Sequence, residues 1–360
     1  MQTDPKRRLS GIQAGRGIAA LAVVLTHSID HPFPRVFEQA HFFARYGVTL
    51  FFVISGYIMV VSTGDGAFQP GIFVRNRIRR VVPLYWAAIF ITASLALTLP
   101  QIFRATEFSL PYVIKSLLFI PAYSPGDGSI RPFVKLGWTL NFEMFFYLCF
   151  ASMYALTATA RAVALSVLFL SLIALGYLVD SENVIFKFYT RIDTLAFVAG
   201  VWLAILSRRG RSFTKGRFII IGLTSLVIGL GLLVPYGSIR DYPWTQVCVI
   251  IMCAMQVSFL AEAPRFGWSV PRLLEIMGNG SYSIYLFHMF GVGIGTIILF
   301  KVFSQLPVLG IVISAGLGIA IGLIVYHFLE APMDKWFRRV TADSLFSNRS
   351  IRPSESVDRL

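Results

Sequence analysis

The chain has 360 residues, of which 56% are hydrophobic and only 14% charged, with a net charge of +14 and a mean hydropathy of +0.70. A charged share well below the roughly 25% of soluble domains excludes an ordinary globular enzyme and a disordered chain, and places the protein in a bilayer. The positive balance does not indicate nucleic acid, because the basic residues stand between apolar stretches, where membrane topology and anionic lipid account for them.

Ten stretches are predicted to cross the membrane as helices, at 12–30, 46–62, 81–99, 137–157, 162–179, 192–206, 217–234, 244–261, 281–300 and 308–329. The fold class is therefore all-α and polytopic. Residues 1–11 form an N-terminal tail, 12–333 one membrane domain, and 334–360 a polar, disordered tail. Lys and Arg concentrate in alternate segments that share a side with the N-terminus, so both termini are expected in the cytoplasm. The run after Lys6-Arg7-Arg8 lacks a small-residue cleavage site and is read as an uncleaved first span.

That first span carries Arg16 and His27, eleven positions apart. At about 100° per residue the two side chains differ by only about 20° in direction and by about 16 Å in height. Ionisable groups at membrane depth are costly and face a bundle interior or a cavity. His27 is thus a candidate general base, the alternative being a histidine bonded between helices. His31, His41 and Arg45 extend the polar character past its outer end.

In the second span Ser55-Gly56 lacks the Gly-x-Ser-Gly pattern of an intramembrane protease, since Val53 holds the first position, and packing of small residues is the preferred role. Arg75-Asn76-Arg77-Ile78-Arg79-Arg80 precedes the third span. It serves as a positive-inside anchor, and Arg77 and Arg80, spaced i, i+3, also suit the phosphates of a nucleotide-bearing donor such as coenzyme A. Leu110–Tyr123, broken by Pro111, Lys115 and Pro121, suits an interfacial or re-entrant segment.

Gly137-Trp138-Thr139-Leu140-Asn141-Phe142-Glu143 puts a carboxylate inside the fourth span with no counter-charge at i±3 or i±4. It needs a partner from another helix, and topology sets it in the outer half with His27, where a carboxylate can orient an imidazole. Ser281-Tyr282-Ser283-Ile284-Tyr285-Leu286-Phe287-His288 holds a second intramembrane histidine, and Glu330 is expected to pair with the arginine cluster. The five histidines are read as scattered and the three cysteines lie in apolar spans, so neither a metal nor a disulfide framework is expected.

Taken together, Arg16-x10-His27, Phe51-Phe52-Val53-Ile54-Ser55-Gly56-Tyr57, Arg77-x-x-Arg80 with Pro83-Leu84-Tyr85-Trp86, Trp138-Thr139-Leu140-x-x-Glu143, the Ser281–His288 stretch and Glu330-x-Pro332 resemble acyltransferase family 3, bacterial integral-membrane O-acyltransferases of surface glycoconjugates. The likeness covers nearly the whole chain and is nearest in style to exopolysaccharide-production acetyltransferases. It implies ten helices in the bacterial plasma membrane, acetyl-CoA as co-substrate from the cytoplasm without a metal, and a polysaccharide or lipid-linked glycan acceptor. Membrane lipid and polysaccharide-synthesis machinery are the other implied partners. On this reading His27 and Glu143 are catalytic, Arg16, Arg77 and Arg80 bind the donor, and Trp138 and His288 bind substrate. Two departures stand out: Asn76 replaces an arginine common in the family pattern, and no hydrolase-like domain is expected after the last helix. A glycolipid or sugar transporter is the rival reading, although paired broken spans in two related halves are not evident. A non-catalytic membrane partner of a polysaccharide synthase is the second rival.

Overall fold

The structure, a computed structural model, describes residues 5–33, 38–99, 108–208, 214–302, 305–337 and 339; the polar tail expected from Thr341 lies outside them. In chain order the helices are α1 Pro5–Asp30, α2 Ala40–Thr63, α3 Pro70–Thr98, α4 Leu110–Leu117, α5 Trp138–Ser152, α6 Ala158–Leu178 and α7 Val184–Tyr189. They continue as α8 Leu195–Arg208, α9 Lys215–Leu233, α10 Tyr236–Ile239, α11 Pro243–Glu262, α12 Arg272–Asn279, α13 Ser281–Val302 and α14 Pro307–Val325. Among the described residues strand pairing is limited to the bridge Tyr123–Ile130.

Eight of these helices are long and apolar enough to cross a bilayer. The other two expected spans, α5 and α8, have 15 and 14 residues, each entered through a 3₁₀ turn, Lys135–Gly137 and Ile192–Thr194. Their length of about 21–23 Å falls short of the roughly 30 Å hydrocarbon core. α8 lies inside the bundle, where reciprocal glycines bring it against α2: a Cβ on Gly56 would meet the Phe197 carbonyl, and one on Gly200 the Val53 carbonyl.

α1 occupies the centre, packed by α2, α11, α12, α13 and α14. The periphery is lipid-facing, clearest on α9, where Ile220, Leu223, Val227 and Leu230 are exposed. α3 begins eleven residues before the expected span, so the arginine cluster is part of the helix itself; Pro83 is accommodated inside it. α4 is a short amphipathic piece with Leu110 and Ile114 outward and Tyr112, Val113 and Ser116 buried, in keeping with an interfacial segment. α14 passes into a π-helical turn at Tyr326–Glu330 before continuing to residue 337.

Candidate functional site

Arginines gather at one end of the bundle, where Arg77 and Arg80 of α3 and Arg16 of α1 line the same spaces. Arg16 is nearly buried, at 8% exposure, and its Nη1 donates to Gln13 Oε1 at 3.2 Å. Gln13 is fixed in turn by donating to Asn279 Oδ1 at 3.1 Å. On α3, Arg77 places its guanidinium over the rings of Phe73 (5.6 Å) and Tyr147 (5.8 Å), while its buried Nε has no hydrogen-bond partner. The aromatic faces thus hold the cation without neutralising it.

Arg16, Arg77 and Arg80 stand in the walls of two spaces. The outer one is a recess of about 620 Å³ that also includes Asn76, Arg79, Lys335, Glu330 and Asp334. The inner one, about 80 Å³, runs between α1, α2, α3, α5 and α13, and its walls include Ser55, Thr139, Glu143, Tyr147, Ser281 and Tyr285. Cations outnumber carboxylates around the recess, so an anionic ligand is matched there. Glu330 enters this wall from the π-helical turn and accepts a hydrogen bond from Ser283, where the sequence suggests pairing with arginine. A π turn shifts the register of the side chains that follow it, a feature frequent at functional sites.

Glu143 obtains its interhelical partner from α2: Ser55 Oγ donates to Oε1 at 3.2 Å, and Tyr147 OH, one turn along α5, donates to the same oxygen. Ser55 and Gly56 therefore divide two tasks, a hydrogen bond and close packing. The expectation that Glu143 orients His27 has no such bond behind it. Thr139, Leu140, Glu143 and Tyr147 share the face of α5 that opens on the arginine cavity, so helical phase turns the carboxylate toward that cavity.

His27 instead meets His288. The two rings stack with centroids 5.3 Å apart and planes at 29°. His288 is fully buried; its Nδ1 lies 3.0 Å from the Ile284 carbonyl and 2.8 Å from that of Tyr285, while Nε2 has no partner. Tyr285 stands between the cavity and this pair. It lines the cavity, bonds Thr139 Oγ1 at 2.8 Å through its hydroxyl, and sets its ring 6.4 Å from that of His288. A single helix, α1, thus joins the arginine cavity to the histidine pair, as the Arg16–His27 spacing predicts.

Around the histidine end the remaining polar side chains hold one another. His31 Nδ1 bonds Thr296 Oγ1 at 3.1 Å, and His41 Nε2 faces Asp30 at 3.2 Å. His27 on α1 and His31 just past its end are four residues apart, a spacing that a reading of scattered histidines passes over; their rings engage different partners on α13. Arg45 donates to Gln246 Oε1 at 2.9 Å, and Gln246 Nε2 reaches Thr49 and Asp193. Asp193 pairs with Arg191 at 3.0 Å, and Arg191 covers the Trp138 ring at 5.1 Å. Trp138 and His288 share no ring contact, although their helices α5 and α13 meet through the Thr139–Tyr285 bond. The sequence reading gives Ser55 a packing role and Tyr285 only a place in a motif, and assigns no site role to Tyr147 or Asp193. Only Tyr147 had a local signal, standing i+4 from an otherwise unpaired carboxylate.

Residues 9–327 match the family described as an acyltransferase domain, acyltransferase family 3. The chain is 34% identical over 319 residues to the exopolysaccharide production protein ExoZ of Rhizobium meliloti (strain 1021), covering 82% of this chain and 92% of that protein. It is 28% identical over 317 residues to a protein of Komagataeibacter xylinus with the provisional name membrane-bound transacylase BcsY, covering 82% of this chain and 76% of the other. No solved structure matches the chain.

Proposed function

The chain belongs to acyltransferase family 3, and from that premise we propose that it moves an acetyl group from cytoplasmic acetyl-CoA to a sugar hydroxyl of an exopolysaccharide or related surface glycan. The observation that carries this reading is the arrangement of the site. An arginine-walled recess and a smaller cavity share Arg16, Arg77 and Arg80 in their walls, and the helix that carries Arg16 carries His27 about three turns further on.

On this reading Arg77 and Arg80 hold coenzyme A phosphates at the recess, and Arg16 guides the pantetheine arm toward the inner cavity. Arginine suits the task because its planar fork binds phosphate bidentately and stays charged. Ser55, Glu143 and Tyr147 form the wall that the acyl end meets, and Glu143 acts within this cavity. The acceptor hydroxyl approaches His27 from the opposite end, where Trp138 and His288 stand. Its O–H proton passes to the imidazole as its oxygen bonds to the acyl carbon; the C–S bond breaks, and the imidazolium returns the proton to the departing thiolate. Similarity to the exopolysaccharide production protein of Rhizobium meliloti supports an acceptor in exopolysaccharide.

Purified protein given acetyl-CoA and an acceptor glycan is expected to release free thiol and acetylated glycan in equal amounts. His27→Ala, inserted at wild-type abundance, is expected to lose about 10²- to 10⁴-fold in that rate. Glycan movement across vesicles without thiol release would instead identify a transporter, and an unimpaired His27→Ala protein would remove the base from this assignment.

A further inference from the structure

A protonated imidazole has two N–H donors and needs an acceptor for each. If His27 takes the proton of the acceptor hydroxyl, one N–H faces the substrate and the other must be received inside the protein. In a serine protease triad a carboxylate fills that position. Here the one carboxylate of the neighbouring spans that the sequence offered, Glu143, is engaged by Ser55 and Tyr147 on the cavity side.

The hydroxyls nearest His27 along α1 are also committed. Thr26 Oγ1 donates to the carbonyls of Ala22 and Ala40, and Ser28 Oγ to that of Val24. His31 bonds Thr296, whose own hydroxyl donates to the Val292 carbonyl, which makes His31 Nδ1 the donor of that pair.

His288 is different. The two groups within reach of its Nδ1 are backbone carbonyls, which only accept, so Nδ1 carries the hydrogen and a neutral ring keeps its lone pair on Nε2. That nitrogen is buried without a partner, a state that costs free energy unless something uses it. The backbone beneath it is held as well: Gly291 and Gly318 let α13 and α14 approach so closely that a Cβ on Gly318 would lie 3.2 Å from the His288 carbonyl. The ring stacked on it belongs to His27.

We propose that His288 Nε2 is the internal hydrogen-bond acceptor for His27, receiving the N–H of the imidazolium formed during transfer while itself remaining neutral. A turn of the His27 ring from its stacked pose points an N–H at Nε2. No proton is transferred to His288 in this step, so the balance of the reaction is unchanged. His288 is thus a positioning residue, and its role rests on His27 serving as base.

The test uses the full-length protein in lipid, with His288→Asn, His288→Gln and His27→Ala measured together. Asparagine can keep a donor toward the Ile284 and Tyr285 carbonyls but removes the acceptor at Nε2, whereas glutamine can place a carbonyl oxygen near that point. His288→Asn is expected to lower kcat about 10- to 100-fold, the size of one charge-assisted hydrogen bond, with KM for acetyl-CoA unchanged and a larger solvent deuterium isotope effect. His288→Gln is expected to recover a measurable part of the loss. Wild-type kcat in His288→Asn beside an inactive His27→Ala overturns this inference and leaves the base assignment standing. An active His27→Ala overturns both. Equal losses in both His288 variants, with raised KM for donor and acceptor alike, would show a structural role and also overturn it; should the asparagine variant fail to fold, wild-type thermal stability with no retained activity in the glutamine variant does the same.

Discussion

Arg77 shows how a single side chain is prepared for an anion. Its guanidinium is held between the rings of Phe73 and Tyr147, so ordering it on ligand binding costs little, and its Nε has no protein acceptor. Lysine keeps the charge but loses the planar fork and the stacking. Arg77→Lys is therefore expected to raise KM for acetyl-CoA about tenfold while leaving acceptor KM unchanged, measured by thiol release at saturating glycan. Glu143 and Tyr147 share a hydrogen bond, and Tyr147 also carries Arg77 on its ring. A double-mutant cycle on kcat/KM with Glu143→Gln and Tyr147→Phe is expected to give a coupling of about 0.5–3 kcal/mol. Additive effects would mean that the carboxylate works independently of the tyrosine.

At the scale of the helix, the bundle depends on small residues where backbones nearly touch. Gly56 and Gly200 are each opposed by a carbonyl of the facing helix, and this contact sets the depth of α8 beside Ser55, next to Gly56 on α2. Gly200→Leu is expected to destabilise the protein by about 1–3 kcal/mol through overpacking. Thermal unfolding in detergent would record it, and an unchanged midpoint would mean the α2–α8 contact opens freely. Helix length tells a related story. The apolar pattern starts the third span at 81, past the arginines; the structure starts α3 at Pro70, since an arginine-rich turn is as helical as an apolar one. The second span, expected at 46–62, extends in the structure to the 24 residues of α2 with much of its length buried, because burial inside a bundle does not require uniform apolarity.

Across the whole molecule, the two ends differ in kind: arginines and a wide recess at one, paired polar side chains and imidazoles at the other. Applied to the distribution of Lys and Arg, the positive-inside rule leads to the expectation that the arginine end faces the cytoplasm. Cysteine labelling checks this orientation. In a background lacking Cys149, Cys248 and Cys253, Gly66→Cys stands in open space at the arginine end and Asp241→Cys, where the native side chain is 91% exposed, at the other. An impermeant maleimide is expected to label Asp241→Cys in intact cells and Gly66→Cys only after permeabilisation. The reverse pattern would put the recess outside and rule out cytoplasmic acetyl-CoA as donor.

The sequence alone determined the class of the molecule and the axis of its site. Composition and ten apolar runs dictate a helical membrane protein, because a bilayer admits no unpaired backbone. The spacing of Arg16 and His27 puts both on one face of α1, because helical phase is a local property of the chain. Local phase also told that Arg77 and Arg80 face together. What it could not tell is which helix each face meets. The partner of Glu143 is Ser55, 88 residues away, and that of His27 is His288, on a helix near the other end of the chain. Those pairings follow from how glycine-lined helices nest against one another, a choice made by packing across the bundle. The tertiary structure therefore moved the carboxylate to the arginine cavity and gave the imidazole a second imidazole in its place.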